Sequence, residues 1–146
     1  MSVEGTASSR ITLQPCTDIA LLTRLYMELM EDEGHDVIRT EEEVYAGMEE
    51  VLRDGEAAYA FMAEGRVVGY ALMIMKRTPP YLHHFYICRD ARRNGYGTEA
   101  FHALLRTLQT DRIDLDVYVW NERGRGFWNS LGFKPRATIM RYESAR

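Results

Sequence analysis

The stretch RRNGYGT, residues 92–98, decides the fold of this 146-residue chain. It follows an apolar run that ends near Cys88 and precedes a helical pattern that begins near Glu99. A strand that leads through a glycine turn into a helix exposes backbone N–H groups at the start of the helix, and such an end binds phosphate groups. Glycine lets the backbone approach an anion closely and adopt turn conformations that other residues avoid. The stretch therefore predicts a strand–turn–helix unit with an anion-binding turn.

Hydrophobic periodicity predicts the element order β-α-α-β-β-β-α-β-α-β. The strand before the glycine turn, the helix after it and the next strand form a βαβ unit, which implies parallel strands and a right-handed crossover. A hairpin over Glu64-Gly65 implies antiparallel neighbours. We therefore expect one domain over residues 1–146, an α/β fold with a mixed, mostly antiparallel sheet and helices on both faces. The predicted strands are residues 10–15, 57–63, 66–76, 81–88, 113–120 and 138–142, and the predicted helices are residues 18–33, 40–54, 97–110 and 122–131.

The composition is that of a globular protein, with 46% hydrophobic and 27% charged residues. The net charge of −4 argues against a nucleic-acid partner, which favours a basic face. The two cysteines, Cys16 and Cys88, lack metal-ligand spacing and do not indicate a disulfide scaffold, so we expect a reducing cytoplasm. Residues 1–10 have no apolar core of a signal peptide, and no apolar run is long enough to span a bilayer. We therefore predict a cytoplasmic protein with no membrane, nucleic-acid or metal partner.

Two motifs make the chain resemble the GNAT superfamily of acyl-CoA-dependent N-acyltransferases. The family's acetyl-CoA motif has Arg or Gln, two residues, Gly, one residue and then Gly or Ala, and Arg92, Gly95 and Gly97 fill it. Many members have a second block with Asn, a small residue three positions on, Tyr seven positions on and a final Gly-Phe. Asn121 and the Gly-Phe pair at 132–133 match that block, whereas Trp128 stands at the Tyr position. The element order agrees over residues 10–142, so the resemblance implies the family's fold and activity.

The resemblance implies acetyl-CoA as cosubstrate. The N–H groups of residues 93–98 would bind its pyrophosphate, helped by the helix dipole, unless the arginines of the turn are only solvated surface. The resemblance further implies a strand bulge near Ile87 and Cys88 that leaves an N–H for the thioester oxygen. Asn121 would bind the pantetheine arm, cap the helix beginning at Glu122, or do both. The predicted cofactor-binding residues are Ile87, Cys88, Arg92, Arg93, Asn94, Gly95, Tyr96, Gly97, Thr98, Asn121 and Trp128.

Trp128 is the departure from the family pattern that affects the chemistry. Related enzymes often use Tyr at this position to protonate the leaving thiolate, and an indole N–H cannot act as an acid at ordinary pH. The general acid is therefore unassigned. We interpret Trp128 as a residue that packs beside the CoA arm with Phe127.

His83 is the predicted catalytic residue. An amine must lose a proton before it attacks a thioester, and histidine titrates in the range that suits a general base. By period two, His83 would share one strand face with Tyr81, Phe85 and Ile87, while His84 would point to the other face, so the two histidines would not chelate one ion. The resemblance implies that a catalytic Glu or His often stands where His83 does. The alternative is a buried histidine with a satisfied hydrogen bond.

The acceptor is the least constrained part of the prediction. The resemblance implies that the first two helices wall the acceptor site, and their acidic residues would either hold a cationic amine or form a solvated face. We expect direct acetyl transfer to a primary amine of a small molecule in a ternary complex. Acetylation of a protein or peptide amine, and a CoA-binding sensor without turnover, stay open, as does a homodimer. The residues in question are Glu28, Glu31, Asp32, Glu33, His35 and Asp36.

Overall fold

The computed structural model describes residues 9–145, which divide into two compact units, one reaching Asp116 and one starting at Val117. The second unit contains the short helix α4, Glu122–Ser130. The elements of the first unit are β1 Thr12–Pro15, α1 Ile19–Glu33, α2 Glu41–Arg53, β2 Ala57–Ala63, β3 Arg66–Ile74, β4 Tyr81–Ile87, a 3₁₀ turn Arg89–Ala91, α3 Tyr96–Leu108 and β5 Asp114–Leu115.

The strands of the described residues form one five-stranded sheet in the order β1-β2-β3-β4-β5. The first four strands pair antiparallel, and β4 pairs with β5 in parallel through α3, as the βαβ pattern predicted. The fold class is therefore confirmed: a mixed, mostly antiparallel sheet with helices. None of the helices within residues 9–145 is both long and apolar enough to cross a bilayer.

Helices α1 and α2 begin where the sequence places capping residues. The Asp18 side chain accepts a hydrogen bond from the Leu21 amide, and Thr40 forms a reciprocal capping box with Glu43. Gly34 ends α1 with φ of 66°, a left-handed conformation that favours glycine.

Both faces of the sheet are buried. On one face, Tyr70 and Leu72 of β3 pack with Leu22 and Leu25 of α1 in a core cluster. On the other, Phe61 of β2 is fully buried and contacts a ring of β4. Helix α3 contacts β1 and β4 and carries the remaining buried stripe, Ala100, Phe101, Ala103 and Leu104.

Two predicted strands are wrong. Only Asp114–Leu115 of the predicted strand 113–120 pairs with the sheet, and residues 138–142 form no strand. In both segments large apolar side chains are exposed, such as Trp120 and Met140. Alternation of apolar and polar residues indicates only a local preference for extended backbone. A strand also needs a neighbouring strand to hydrogen-bond with, and β4 pairs with β5 over two residues only.

The predicted strand bulge lies at a different place. Leu72 faces His84 while Met73 faces Leu82, so His83 is the extra residue in β4. The prediction of a bulge near Ile87 and Cys88 is wrong, because Ile87 pairs with Gly69 and the Cys88 amide donates to the Val68 carbonyl at 2.8 Å.

The bulge also changes which side chains share a face. Residues opposite each other in an antiparallel pair lie on the same face, so His84 is on the α1 side with Leu72, whereas Phe85 is on the other side with Ala71. The predicted set of Tyr81, His83, Phe85 and Ile87 on one face is therefore wrong. The rings of His83 and His84 lie together, with centroids 4.5 Å apart, because an inserted residue shifts the alternation by one.

Candidate functional site

The edge of β4 is unpaired over its second half. Strand β5 pairs with Tyr81 and Leu82, and from His83 to Ile87 this edge pairs with no strand of residues 9–145. Hydrogen-bonded and non-hydrogen-bonded pairs alternate along antiparallel strands, and Cys88 occupies a bonded position opposite Val68. The polar groups of Ile87 therefore point away from β3, and its carbonyl accepts a hydrogen bond from Arg92 Nε at 2.9 Å. The Ile87 amide faces the same open edge and can donate to a ligand there.

The glycine turn leaves the start of α3 without a side-chain cap. Among the helices of the described residues, α1, α2 and α4 receive a side-chain acceptor at their first turn, whereas Gly95 at the start of α3 provides none. The backbone N–H groups of Tyr96, Gly97 and Thr98, which lie in the first turn, therefore remain available as donors. The helix dipole favours an anion beside them. Gly95 and Arg93 both have left-handed φ, 76° and 66°. Such a conformation is strained for arginine and is typical of ligand-binding turns.

Arg92 has an internal partner. Its guanidinium forms an ion pair with Asp32 near the end of α1 and lies 5.3 Å from the centre of the Tyr86 ring. Burial acts to raise the pKa of Asp32, but hydrogen bonds from Arg92 and Arg89 outweigh it and lower that pKa below its usual range. The Arg92 side chain therefore ties the turn to α1. Arg93 is exposed and carries the turn's cationic side chain toward solvent.

The other side chains of the turn hold its shape. Asn94 donates to the carbonyls of Ala91 and Arg92 at 3.1 and 3.2 Å. Tyr96 is buried beneath the Arg10 guanidinium, 4.6 Å from the ring centre, and Arg10 also pairs with Glu99 in the first turn of α3. Arg92, Asn94 and Tyr96 thus engage groups of the protein itself, and the backbone N–H groups at the start of α3 stay without a side-chain acceptor.

His83 is accessible and paired with a carboxylate. Its side chain is 38% exposed, and Nδ1 lies 3.0 Å from Glu56 Oε1. An ionised carboxylate can only accept, so Nδ1 carries the proton of this hydrogen bond. In the neutral ring Nε2 then has the lone pair that a general base requires.

His84 has the opposite environment. It is buried, stacks on Tyr26 at 4.0 Å between ring centres, and its Nδ1 lies 3.0 Å from the Tyr70 hydroxyl. Burial, followed by the nearby His83 and His35, lowers the pKa of His84 well below its usual value. His84 is therefore a neutral, hydrogen-bonded core histidine.

The acidic residues of α1 are largely paired within the protein. Glu28 accepts from the Tyr86 hydroxyl at 2.9 Å and lies 3.5 Å from Arg24. The three carboxylates at the end of α1 also have partners, in the pairs Glu31–Arg89, Asp32–Arg92 and Glu33–His35. These partners neutralise much of the negative charge predicted for a cationic acceptor.

Asn121 and Trp128 belong to the second unit. The Asn121 side chain accepts from the Gly124 amide at 3.0 Å and caps α4, as one of the two predicted roles requires. A Cβ at Gly124 would lie 2.4 Å from Asn121 Nδ2, so this cap needs glycine at that position. Trp128 packs edge-to-face against Phe127 and Phe133, with ring centres 4.8 and 5.1 Å away.

No local pattern in the sequence predicts that His83 contacts Glu56 or that Arg92 pairs with Asp32. Glu56 lies 27 positions before His83, in the connection from α2 to β2, and nothing in its local pattern distinguishes it from a surface carboxylate. The Asp32–Arg92 pair likewise spans 60 positions. No group of three or more His, Cys, Asp or Glu side chains within residues 9–145 is arranged to hold a metal ion.

The sequence profile of the Acetyltransferase (GNAT) family matches residues 21–133, most of the chain. The chain belongs to the GNAT family. The match includes β4, the glycine turn and the block from Asn121 to Phe133. No curated protein matches this GNAT chain.

Solved structures of acetyltransferases share the fold. A possible acetyltransferase from Clostridium difficile 630 superposes with a TM-score of 0.71 at 17% identity, over 93% of this chain and 99% of that one. The aminoglycoside N-acetyltransferase AAC(6')-Iy, solved with CoA, gives 0.69 at 17% identity, over 94% and 97%. A predicted acetyltransferase from Clostridium acetobutylicum, solved with acetyl-CoA, gives 0.67 at 17% identity, over 91% and 96%. At these identities the likeness concerns the fold.

Proposed function

We propose that this GNAT protein transfers an acetyl group from acetyl-CoA to a primary amine of a small molecule, directly and in a ternary complex. The observation that carries the proposal is the uncapped start of α3, which follows, after one short connection, a strand whose edge is unpaired. A ligand with a pyrophosphate and an amide-bearing arm needs backbone donors at both places. The complexes of similar structures with CoA and with acetyl-CoA support the same ligand class.

In this proposal the backbone N–H groups of residues 93–98 bind the pyrophosphate, and Arg93 adds positive charge. The Ile87 amide, at the open edge beside Cys88, donates to the thioester oxygen and stabilises the oxyanion that develops on it. Asn121 and Trp128 stay proposed CoA contacts because they occupy the family's second block.

His83 acts as the general base in this mechanism. Nε2 accepts a proton from the ammonium form of the acceptor, and the amine nitrogen then forms a bond to the acetyl carbon. The carbon–sulfur bond breaks as the tetrahedral intermediate collapses, and CoA leaves as a thiolate that takes up one of the two protons on the nitrogen, while the amide product keeps the other. With a thiol pKa of about 8.5, as in cysteine, the thiolate is a tolerable leaving group without a dedicated acid.

The acceptor is a small primary amine in this proposal. AAC(6')-Iy, which resembles the chain in fold, has been solved with a bisubstrate analogue of CoA and acetylneamine, which supports a small-molecule amine. Most of the acidic residues of α1 already have cationic or hydrogen-bonding partners, which favours an acceptor with few charges over a polycation. The composition supports a cytoplasmic enzyme.

The test is release of CoA thiol from acetyl-CoA in the presence of a panel of small primary amines and of peptides with free amino groups. We expect turnover with at least one small amine and detection of its acetylated product by mass spectrometry. Turnover with peptides alone would favour a protein acetyltransferase. Binding of acetyl-CoA without turnover on any amine would favour a CoA sensor, which the Trp128 substitution also permits.

A further inference from the structure

Glu56 is held in place by the end of α2. Asp54 ends the helix, and the next two residues close it with paired hydrogen bonds, from the Gly55 amide to the Leu52 carbonyl at 3.2 Å and from the Glu56 amide to the Val51 carbonyl at 3.0 Å. Gly55 has φ of 98°, which allows this closure. Strand β2 begins directly afterwards at Ala57. The Glu56 backbone is therefore fixed on both sides, by a helix end and by a strand.

The Glu56 side chain points from this fixed backbone to the bulge in β4. Its side chain is only 15% exposed, less than half the exposure of the His83 ring that it contacts at 3.0 Å. The carboxylate accepts a hydrogen bond from Nδ1–H. It therefore favours the neutral tautomer of His83 that has its proton on Nδ1, and it limits rotation of the ring. His84, adjacent in sequence, contacts the Tyr70 hydroxyl instead, so Glu56 is hydrogen-bonded to His83 and not to His84.

We propose that Glu56 is a positioning residue for His83, holding the proton on Nδ1 so that Nε2 accepts the proton of the acceptor amine. The inference rests on the proposed function and deepens it by adding a group that does not touch the substrate. The carboxylate also stabilises the imidazolium that forms when Nε2 takes up that proton.

The kinetic test compares Glu56→Ala with Glu49→Ala, which removes a carboxylate from an exposed position of α2. We expect Glu56→Ala to lower kcat roughly 10- to 100-fold, by analogy with the loss of a residue that orients a metal-bound histidine. The KM for acetyl-CoA should stay unchanged, because the contacts proposed for that ligand lie in the glycine turn, at Ile87 and in the second block. Glu56→Gln retains an acceptor for the Nδ1 proton without the charge and should have an intermediate kcat. Glu49→Ala should match the wild type.

A double-mutant comparison separates positioning from general damage to the fold. In a His83→Ala background, Glu56→Ala should cause no further loss of kcat, since the residue that it orients is absent. An equal loss in both backgrounds would overturn the proposal. A wild-type kcat in Glu56→Ala, with His83→Ala strongly impaired, would overturn the role of Glu56 while leaving that of His83. An unimpaired His83→Ala would instead refute the proposed base, and the role of Glu56 with it.

Nitrogen NMR of the imidazole rings gives a readout independent of turnover. In the wild type, neutral His83 should carry its proton on Nδ1. In Glu56→Ala the Nδ1 proton should be lost in favour of a mixture of tautomers or the Nε2–H form. An unchanged spectrum of His83 in Glu56→Ala would mean that the carboxylate does not set the tautomer, and the proposal would be wrong.

Discussion

The glycine turn and the bulge in β4 differ in whether the backbone or a side chain is the accessible polar group. In the turn, residues 92–98, side chains such as Arg92 and Tyr96 are engaged inside the protein and the backbone of α3 presents its N–H groups outward. At the bulge the backbone is part of the sheet, and the His83 side chain is the accessible group. The turn is therefore sensitive to backbone conformation and the bulge to side-chain chemistry, so substitutions should separate binding from catalysis.

The largest expected effect is that of His83→Ala. Removal of a general base costs on the order of 10²–10⁴ in rate, and the glycine turn, proposed to bind acetyl-CoA, should be unaffected. We expect a large fall in kcat with an unchanged acetyl-CoA dissociation constant, measured by steady-state kinetics and calorimetry. Undiminished turnover across pH 6–9 would remove His83 from the chemistry.

The second effect is that of Gly95→Val in the turn. Acetyl-CoA at 100 times its dissociation constant should add about 2.7 kcal/mol to the free energy of unfolding of the wild type, seen as a thermal shift. Gly95→Val should abolish this shift, because a β-branched residue resists φ of 76° and moves the α3 N–H groups. The new Cβ would lie 3.6 Å from Arg10 Nη2, an ordinary contact, so the fold should persist.

Gly65→Val is the matched control for that prediction. Gly65 has the same φ of 76° in the β2–β3 hairpin, and no atom lies within 4 Å of a Cβ built there. Both variants should be destabilised by backbone strain of about 1–3 kcal/mol. Only Gly95→Val should lose the acetyl-CoA shift, and loss of the shift in both would contradict a specific role for the turn.

The third effect is a dependence of stability on pH that His84 should cause. The pKa of His84 is lowered in the folded state, so below about pH 6.5 the unfolded chain binds a proton that the folded protein does not. The free energy of unfolding should therefore fall as the pH is lowered from about 6.5 toward the folded-state pKa, by up to about 1.4 kcal/mol per pH unit. Urea unfolding at several pH values measures this slope.

His84→Gln should reduce the slope, because the variant has no group to protonate at this position. His102→Gln, at an exposed position of α3, is the control and should retain the wild-type slope. A slope that persists in His84→Gln would assign the pH dependence to other groups.

The smallest effect is expected at Trp128, outside both regions. Trp128→Phe keeps the packing against Phe127 and Phe133 and removes an N–H that cannot act as an acid, so kcat should stay close to that of the wild type. Trp128→Tyr should retain activity, and an increase is the direction expected if a phenol protonates the thiolate. A large fall in kcat of Trp128→Phe at saturating substrate, with an intact fold, would indicate a direct role for the indole N–H.

Most of the fold could be predicted because its signals are local. The apolar stripe of α1, the capping box of Thr40 and Glu43 and the turn at Glu64-Gly65 each depend on residues a few positions apart. The strands that failed, residues 113–120 and 138–142, were predicted from the same kind of alternation. Extended backbone becomes a strand only where another strand supplies its hydrogen bonds, and that partner is distant in sequence.

The sequence by itself determined the family, the glycine turn before α3 and the choice of His83 as the candidate base, because motif spacing and residue chemistry are local properties. Only the tertiary structure decided that His83 is the bulged residue, that it meets Glu56 while His84 is buried against Tyr70, and that Arg92 pairs with Asp32. Strand register and contacts between distant elements depend on how whole elements pack. A shift of one residue in register moves every side chain beyond it to the other face of the sheet, and no local pattern predicts such a shift.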